Sequence, residues 1–438
     1  MHGLLGSLRL ADLPDTPAIE VIVPFLVARL QDHLDQLARA SRRRDGEPSD
    51  DIAGLDRWRA RVRLPLPRGI NHTLLRGVRA LLGSGETAPL KVLHSLEVAD
   101  ELAVGVRGVP RTSLGTVGAS PAATVAWLGG PPAQGDASLR YLRSAMAPFG
   151  GPVPSVLPMG AFERAWVVNS LALAGIAFTA PRGLVTRMSV DLGSRGVSGG
   201  AGLPPDADTT SATLTALRHL GVTVRDGLLR AFDEKTHFCT WHGERTASPT
   251  TNAHVLTALA LHAGRRSSWR TDAMRRVGDW LCEHQVDGCW DDKWHASPYY
   301  ATACVVAGLR DAAAAGQPGR GAAAIDRATA WVLAGQRRNG SWGRFAGTAE
   351  ETAYALQILL YRSTPDRRVR QAAARGYRFL LAAADVEPMP LWHDKDLYVP
   401  AHVVRAAVVG ARHLAHAAGL AVPPAGPPAL VRARAASG

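Results

Sequence analysis

Five residues, Asp206-Ala207-Asp208-Thr209-Thr210, set two carboxylates two positions apart at the entrance of an apolar stretch. Leu214, Leu217 and Leu220 follow on one helical face, and a Gly/Pro-rich approach from Ser198 to Pro205 precedes the pair. Two readings are open. Asp and Thr satisfy the free N–H groups at ordinary helix starts. Held out of water, paired carboxylates also do acid chemistry, because burial keeps one protonated while its neighbour tunes it. A helix N-terminus favours the ionised acid, so desolvation must win for the second reading to hold.

The surrounding chain must supply the container. Its 438 residues suit about two domains, and 46% hydrophobic content is ample for two cores. The formal charge is +12, yet lysine occurs only at Lys91, Lys235, Lys293 and Lys395. No Lys/Arg block interleaves with aromatics, which argues against nucleic acid, while the positive balance favours an anionic small molecule. Arg42-Arg43-Arg44 reads as a solvated face. Cys239, Cys282, Cys289 and Cys304 form no CxxC pair, and with His242 and His284 their spacing fits no standard zinc pattern. No leader-like N-terminus or bilayer-length apolar run occurs, so a reduced, cytoplasmic protein is expected.

A repeat organises the second half. Ala253, Ala303 and Ala353 recur at a fifty-residue interval, each opening an apolar helix that a second helical pattern follows. Two units end in Gln285-Val286-Asp287-Gly288-Cys289-Trp290 and Gln336-Arg337-Arg338-Asn339-Gly340-Ser341-Trp342. Paired helices at this period mean stacked hairpins, open as a solenoid or closed as a barrel. Glycine permits a tight helix exit, glutamine can cap a neighbouring helix end, and tryptophan packs between hairpins.

With these QW-type elements, the DxD motif and an ordered set of further segments, the chain resembles the class II terpene cyclases over nearly its whole length. The segments are Leu93-His94-Ser95-Leu96-Glu97, Ser120-Pro121-Ala122-Ala123-Thr124, Gly150-Gly151-Pro152-Val153-Pro154, Phe162-Glu163-Arg164-Ala165-Trp166, Gly243-Glu244-Arg245, Asn252-Ala253-His254-Val255-Leu256 and Asp292-Lys293-Trp294-His295. The resemblance implies an all-α fold of two (α/α) barrel domains. Residues 1–195 would form a γ-type domain, incomplete at its N-terminus, and 196–438 a β-type barrel carrying the motif. It also implies alkene protonation by Asp208, tuned by Asp206, with the Asn252 amide orienting the acid. His94 matches a histidine that, in plant copalyl diphosphate synthases, holds a basic water with an asparagine; that asparagine's position is Ser155 here.

A carbocation needs a lining that stabilises charge without attacking it, which aromatic faces supply. Trp290, Trp294, Tyr299 and Tyr300, with Trp241 and Tyr354, are the candidates. Lys293 and Arg245 are expected on the diphosphate, with Arg59, Arg61 and Arg63 as further cations and Glu97 as a carboxylate beside Mg²⁺. Asp50-Asp51 and Asp291-Asp292 lack the third acid of DDxxD, so the product should keep its diphosphate for a downstream phosphatase or class I enzyme. Thr209 gives DxDTT, similar to bacterial drimenyl diphosphate synthases. By that resemblance the substrate is farnesyl diphosphate and the product bicyclic drimenyl diphosphate. The alternatives are a diterpene cyclase making a copalyl- or labdane-type diphosphate from geranylgeranyl diphosphate, and a non-catalytic helical-barrel binding protein.

Overall fold

A computed structural model describes residues 2–13, 16, 18–43, 62–157, 159–261, 267–317, 319–361, 366–383 and 386–420. The molecule is built from helices, and its named strands form two ribbons of two-residue strands, Val197–Ser198 with Pro205–Asp206 and Trp392–His393 with Leu397–Tyr398.

Six helices pack in a closed ring: Gly160–Leu173, Ala207–His219, Pro249–Leu261, Pro298–Ala314, Ala349–Leu360 and Ala401–Ala417, the last returning to the first. Ser268–Glu283, Gly321–Ala334 and Arg367–Ala382 lie outside, each joining neighbouring ring helices. The fifty-residue repeat is therefore one inner and one outer helix. The four ring helices from Ala207–His219 to Ala349–Leu360 are buried along most of their length; in Pro249–Leu261 every residue from Thr250 to Ala260 is buried. Helices of that kind belong in an interior. Small residues let them approach, and a Cβ on Gly308 would come within 2.9 Å of the Ala253 carbonyl.

The two Gln-to-Trp elements are built alike. Gln285 donates to the carbonyls of Gly288 and Ala324, and Gln336 to those of Gly340 and Ala372. Each glutamine thus ties its own turn to the next outer helix, inside its first turns rather than at its end. Trp290 and Trp342 are fully buried, their indole N–H groups 2.7 Å from the carbonyls of Leu281 and Val332. Gly340 has φ +88°, and a Cβ there would meet the Arg375 carbonyl at 2.6 Å, so the turn needs glycine.

Helix Gly160–Leu173 closes the ring, so the division expected at 195/196 falls inside it. The reason is packing: Ala165 and Val168 are buried against Ala212, Ala216 and Leu217 of the motif helix. Ahead of the ring, Ile19–Arg43 packs on Thr73–Ser84 and on the 3₁₀ turn Leu96–Ala103, which rests on Pro121–Leu128. Among the described residues no helix is long and apolar enough to cross a membrane, and all four cysteines are free.

Candidate active site

The two readings of the acid pair are divided between its members. Asp206 is the N-cap: its Oδ1 accepts the Thr209 N–H at 2.6 Å and its Oδ2 the Thr209 hydroxyl at 2.9 Å. Asp208 sits in the first turn and meets His254 Nδ1 through Oδ1 at 2.6 Å. The loop before the pair is held by the same helix, because Thr210 Oγ1 accepts the Val197 N–H at 2.9 Å. Ala207, between the acids, donates its N–H to the Thr240 carbonyl at 2.9 Å, which joins the motif to the loop bearing Trp241. Burial, and then the charge of Asp208, push the Asp206 carboxyl up to about 7. At Asp206 desolvation thus overcomes the hydrogen bonds and the helix terminus.

Asn252 does not take the role expected of it. Its Oδ1 accepts the Phe238 N–H at 2.8 Å, and its Nδ2 donates to the carbonyls of Phe238 and Ser248 at 3.0 and 2.9 Å. It staples a loop to its own helix. His254, two positions on and so on a different face, makes the contact to Asp208 instead.

The acids open into a cavity of about 880 Å³ of non-atom space, including its mouth, between the ring and the front half. Of the expected residues, Asp206, Asp208, His94, Trp294 and Tyr300 line it. So do Lys91, Phe162, Trp241, Trp392, Asp394 and Tyr398, of which only Trp241 was foreseen. Phe162 stood in a segment read for family order alone. Trp392 is fixed from behind: its indole N–H donates to buried Glu350 at 2.7 Å, whose same oxygen meets His295 Nε2 and the Tyr354 hydroxyl at 3.3 Å.

Other expected ligands stand elsewhere. Trp290 lies inside the barrel wall, and Tyr299 packs on Trp331 with ring centroids 4.5 Å apart. Arg245 is exposed, 3.5 Å from the Leu10 carbonyl. Lys293 is buried and donates to Glu244 at 2.6 Å and to the Thr246 carbonyl at 2.8 Å, behind the rings of Trp241 and Trp294. Lys91, on the cavity wall 4.6 Å from the Trp241 centroid, is the cation that the sequence did not single out. Arg63 is exposed and pairs with Asp35, while Arg59 and Arg61 lie outside the described residues. Cys239 and His242 do meet, Sγ to Nδ1 at 3.6 Å, with Glu234 3.1 Å from the histidine. Burial pushes the Cys239 thiol up to about 12, which keeps it a thiol.

A three-residue loop binds the halves across the cavity. Asp394 Oδ1 is 3.0 Å from His94 Nε2, and Asp396 accepts from the Ser155 hydroxyl. Lys395 donates to Glu97 Oε1, the His94 carbonyl and Ser120 Oγ at 2.7, 2.9 and 2.6 Å. The expectation of Glu97 beside Mg²⁺ therefore meets a fitted ammonium. One oxygen is engaged by Lys395 and the other is sealed from solvent, so Glu97 does not fit a resident metal.

A ring of paired helices around a buried acid and an aromatic cavity defines an (α/α)-barrel cyclase. The squalene-hopene cyclase C-terminal domain model matches residues 244–396. The chain is 42% identical to an ent-copalyl diphosphate synthase of Streptomyces sp. (strain KO-3988), over 92% of this chain and 75% of the relative. It is 38% identical to a labda-7,13-dienyl diphosphate synthase of Streptomyces clavuligerus, over 93% and 73%. The solved ent-copalyl diphosphate synthase from Streptomyces platensis superposes with a TM-score of 0.81 at 41% identity, covering 92% of this chain and 77% of that one. The chain belongs to the class II terpene cyclase family, and it is an enzyme of the isomerase type.

Proposed function

We propose that this enzyme is a diterpene cyclase that protonates geranylgeranyl diphosphate at its terminal alkene and releases a bicyclic copalyl- or labdane-type diphosphate. The fifteen-carbon reading rested on Thr209, and the geometry gives that residue a different task. Its N–H and hydroxyl both serve Asp206, so it shapes the polar shell of the cap at the cavity wall. Similarity to synthases named for twenty-carbon diphosphates is the observation that supports the longer substrate.

Asp208 is the proton donor. His254 engages its Oδ1, which leaves Oδ2 for the alkene, while both oxygens of Asp206 already accept hydrogen bonds. As the C–H bond forms, the new carboxylate keeps the His254 contact, which makes proton release easier. Phe162, Trp294, Tyr300 and Trp392 face the cation at about 0.5–2 kcal/mol each. Termination falls to His94 and Asp394. The Gly118 carbonyl, 2.6 Å from His94 Nδ1, only accepts, so that nitrogen donates and Nε2 shares a proton with Asp394. Asp394 lines the cavity, its Oδ2 has no hydrogen-bond partner among the described residues, and it is the acceptor for the last proton. Lys91 meets the diphosphate, whose C–O bond stays intact; any divalent ion arrives with that group.

The test is competition between farnesyl and geranylgeranyl diphosphate in one reaction. A kcat/KM preference for the twenty-carbon substrate is expected, with diphosphate retained in the product. A preference for farnesyl diphosphate returns the drimenyl reading, and free pyrophosphate breaks both.

A further inference from the structure

Behind the acid pair lies a second, much smaller cavity that the scheme above leaves unused. Trp166, Asn169, Thr215, His254 and Cys304 line it, and it has room for about one water molecule. Four buried atoms of that lining have no protein partner among the described residues: Trp166 Nε1, Asn169 Oδ1, Thr215 Oγ1 and His254 Nε2. Buried polar atoms without partners are uncommon, and four around one small space call for a shared partner. The Asn169 amide is oriented independently, since its Nδ2 donates to the Ala212 carbonyl at 3.0 Å. His254 is oriented too, by Asp208 on its other nitrogen and by Trp166, whose ring centroid is 4.2 Å away.

The donor and acceptor inventory is balanced. Trp166 Nε1 only donates and Asn169 Oδ1 only accepts. Thr215 does either, and His254 Nε2 accepts when neutral and donates when protonated. One water has two of each to offer. With His254 neutral, it accepts from Trp166 and Thr215 and donates to Asn169 and His254. With His254 protonated, it accepts from Trp166 and His254 and donates to Asn169 and Thr215. A single rotation of the Thr215 hydroxyl converts one arrangement into the other.

We propose that this cavity binds a water molecule, with Thr215 as its swivel, that lets His254 gain and lose a proton beside Asp208 without leaving a buried group unpaired. The inference rests on Asp208 as proton donor. In the step, the Asp208 O–H bond breaks, its proton forms the new C–H bond, and the carboxylate pairs with the His254 imidazolium. Solvent then returns a proton to Asp208 Oδ2. His254 gives its Nε2 proton to the cavity water while Nδ1 keeps its own, so His254 becomes neutral and the Thr215 hydroxyl turns to donate. Solvent restores the imidazolium and receives the proton that the final cation loses, so the isomerisation is proton-neutral overall. Asp206 is the other acid facing this pair, on the motif helix. Tyr300 and Cys304, from the helix Pro298–Ala314, are pushed well above their ordinary values by burial and stay neutral. Glu163, on the helix that carries Trp166 and Asn169, lines a separate groove.

Thr215→Val and Thr215→Ser separate this role from packing. Valine keeps the shape and loses the hydroxyl; serine does the reverse. The swivel predicts a kcat lowered roughly tenfold or more in Thr215→Val, an unchanged KM, and near wild-type kcat in Thr215→Ser. A valine variant as fast as wild type, or a serine variant as slow as valine, overturns it. A high-resolution crystal structure of the wild-type enzyme should show one water within hydrogen-bond distance of all four atoms, and a dry cavity overturns the proposal whatever the variants do. Should Asp208→Asn retain turnover, the donor reading fails while the water density still reports on the cavity.

Discussion

The two ends of the chemistry are built differently. Asp208 and His254 stand on ring helices that follow each other in the chain, 46 residues apart, and their contact is internal to the barrel. The pair proposed to terminate the reaction, His94 and Asp394, are 300 residues apart, and Lys395 reaches Glu97 and Ser120 across separations of 298 and 275. On the proposed roles, initiation is fixed by the repeat fold itself, whereas termination exists only while the front half and the Asp394–Asp396 loop are docked. Damage at the first end should remove chemistry and spare the fold. At the second it should loosen the joint and the outcome of the reaction together.

Asp208→Asn breaks the comparison most sharply. Amide for acid keeps the volume and removes the transferable proton, so turnover should fall by roughly a thousandfold or more with the unfolding transition nearly unmoved. Steady-state kinetics and thermal melts on one preparation check it, and near-native turnover ends the donor assignment. Lys395→Met comes next. Its ammonium is almost wholly buried, and removal leaves the Glu97 carboxylate without its cation, a loss of about 3–5 kcal/mol. Glu97→Gln in the Lys395→Met background should recover part of that loss. A double variant no more stable than the single one would show that the pair does not hold the joint.

How much of this was legible follows the same division. The barrel half repeats, and repeats can be read: the period of Ala253, Ala303 and Ala353 gave the hairpins, and the glutamine, glycine and tryptophan elements gave their exits. Asp206 and Asp208 stood out because two acids at an apolar helix entrance are unusual. The choice of Asn252 over His254 failed because the two lie on one helix within two residues, and sequence does not say which face meets the motif helix. The cavity wall was read only in part. Trp392, Asp394 and Tyr398 come from a ribbon and its loop, where no periodicity sets direction. Glu97 was weighed alone, as a metal-side carboxylate, and Lys395 was only counted among the lysines. Their partnership is set by tertiary docking across nearly the whole chain.

A pH series tests the barrel end through its second acid. Burial pushes Asp206 up to about 7, and burial also pushes Glu163 up to about 7 against the opposing Arg164. A carboxyl raised in the folded state holds a proton that the unfolded chain has already released, so the folded state binds more protons between about pH 4 and pH 7. Unfolding free energy should fall as pH rises through that window, by at most about 1.4 kcal/mol per pH unit for each group, and level off above it. The stability from the held proton is complete below the unfolded pKa and lost as pH passes the folded one. Urea unfolding at half-unit steps from pH 4.5 to 8 measures the slope, and Asp206→Asn and Glu163→Gln should each flatten it. The two variants part in catalysis. Asp206→Asn also removes the charge beside the donor and should move the alkaline fall of kcat, whereas Glu163→Gln, facing the outer groove, should leave that limb in place. If both variants shift the limb equally, the effect is not specific to the charge beside the donor, and the clean division between the barrel end and the docked end is lost.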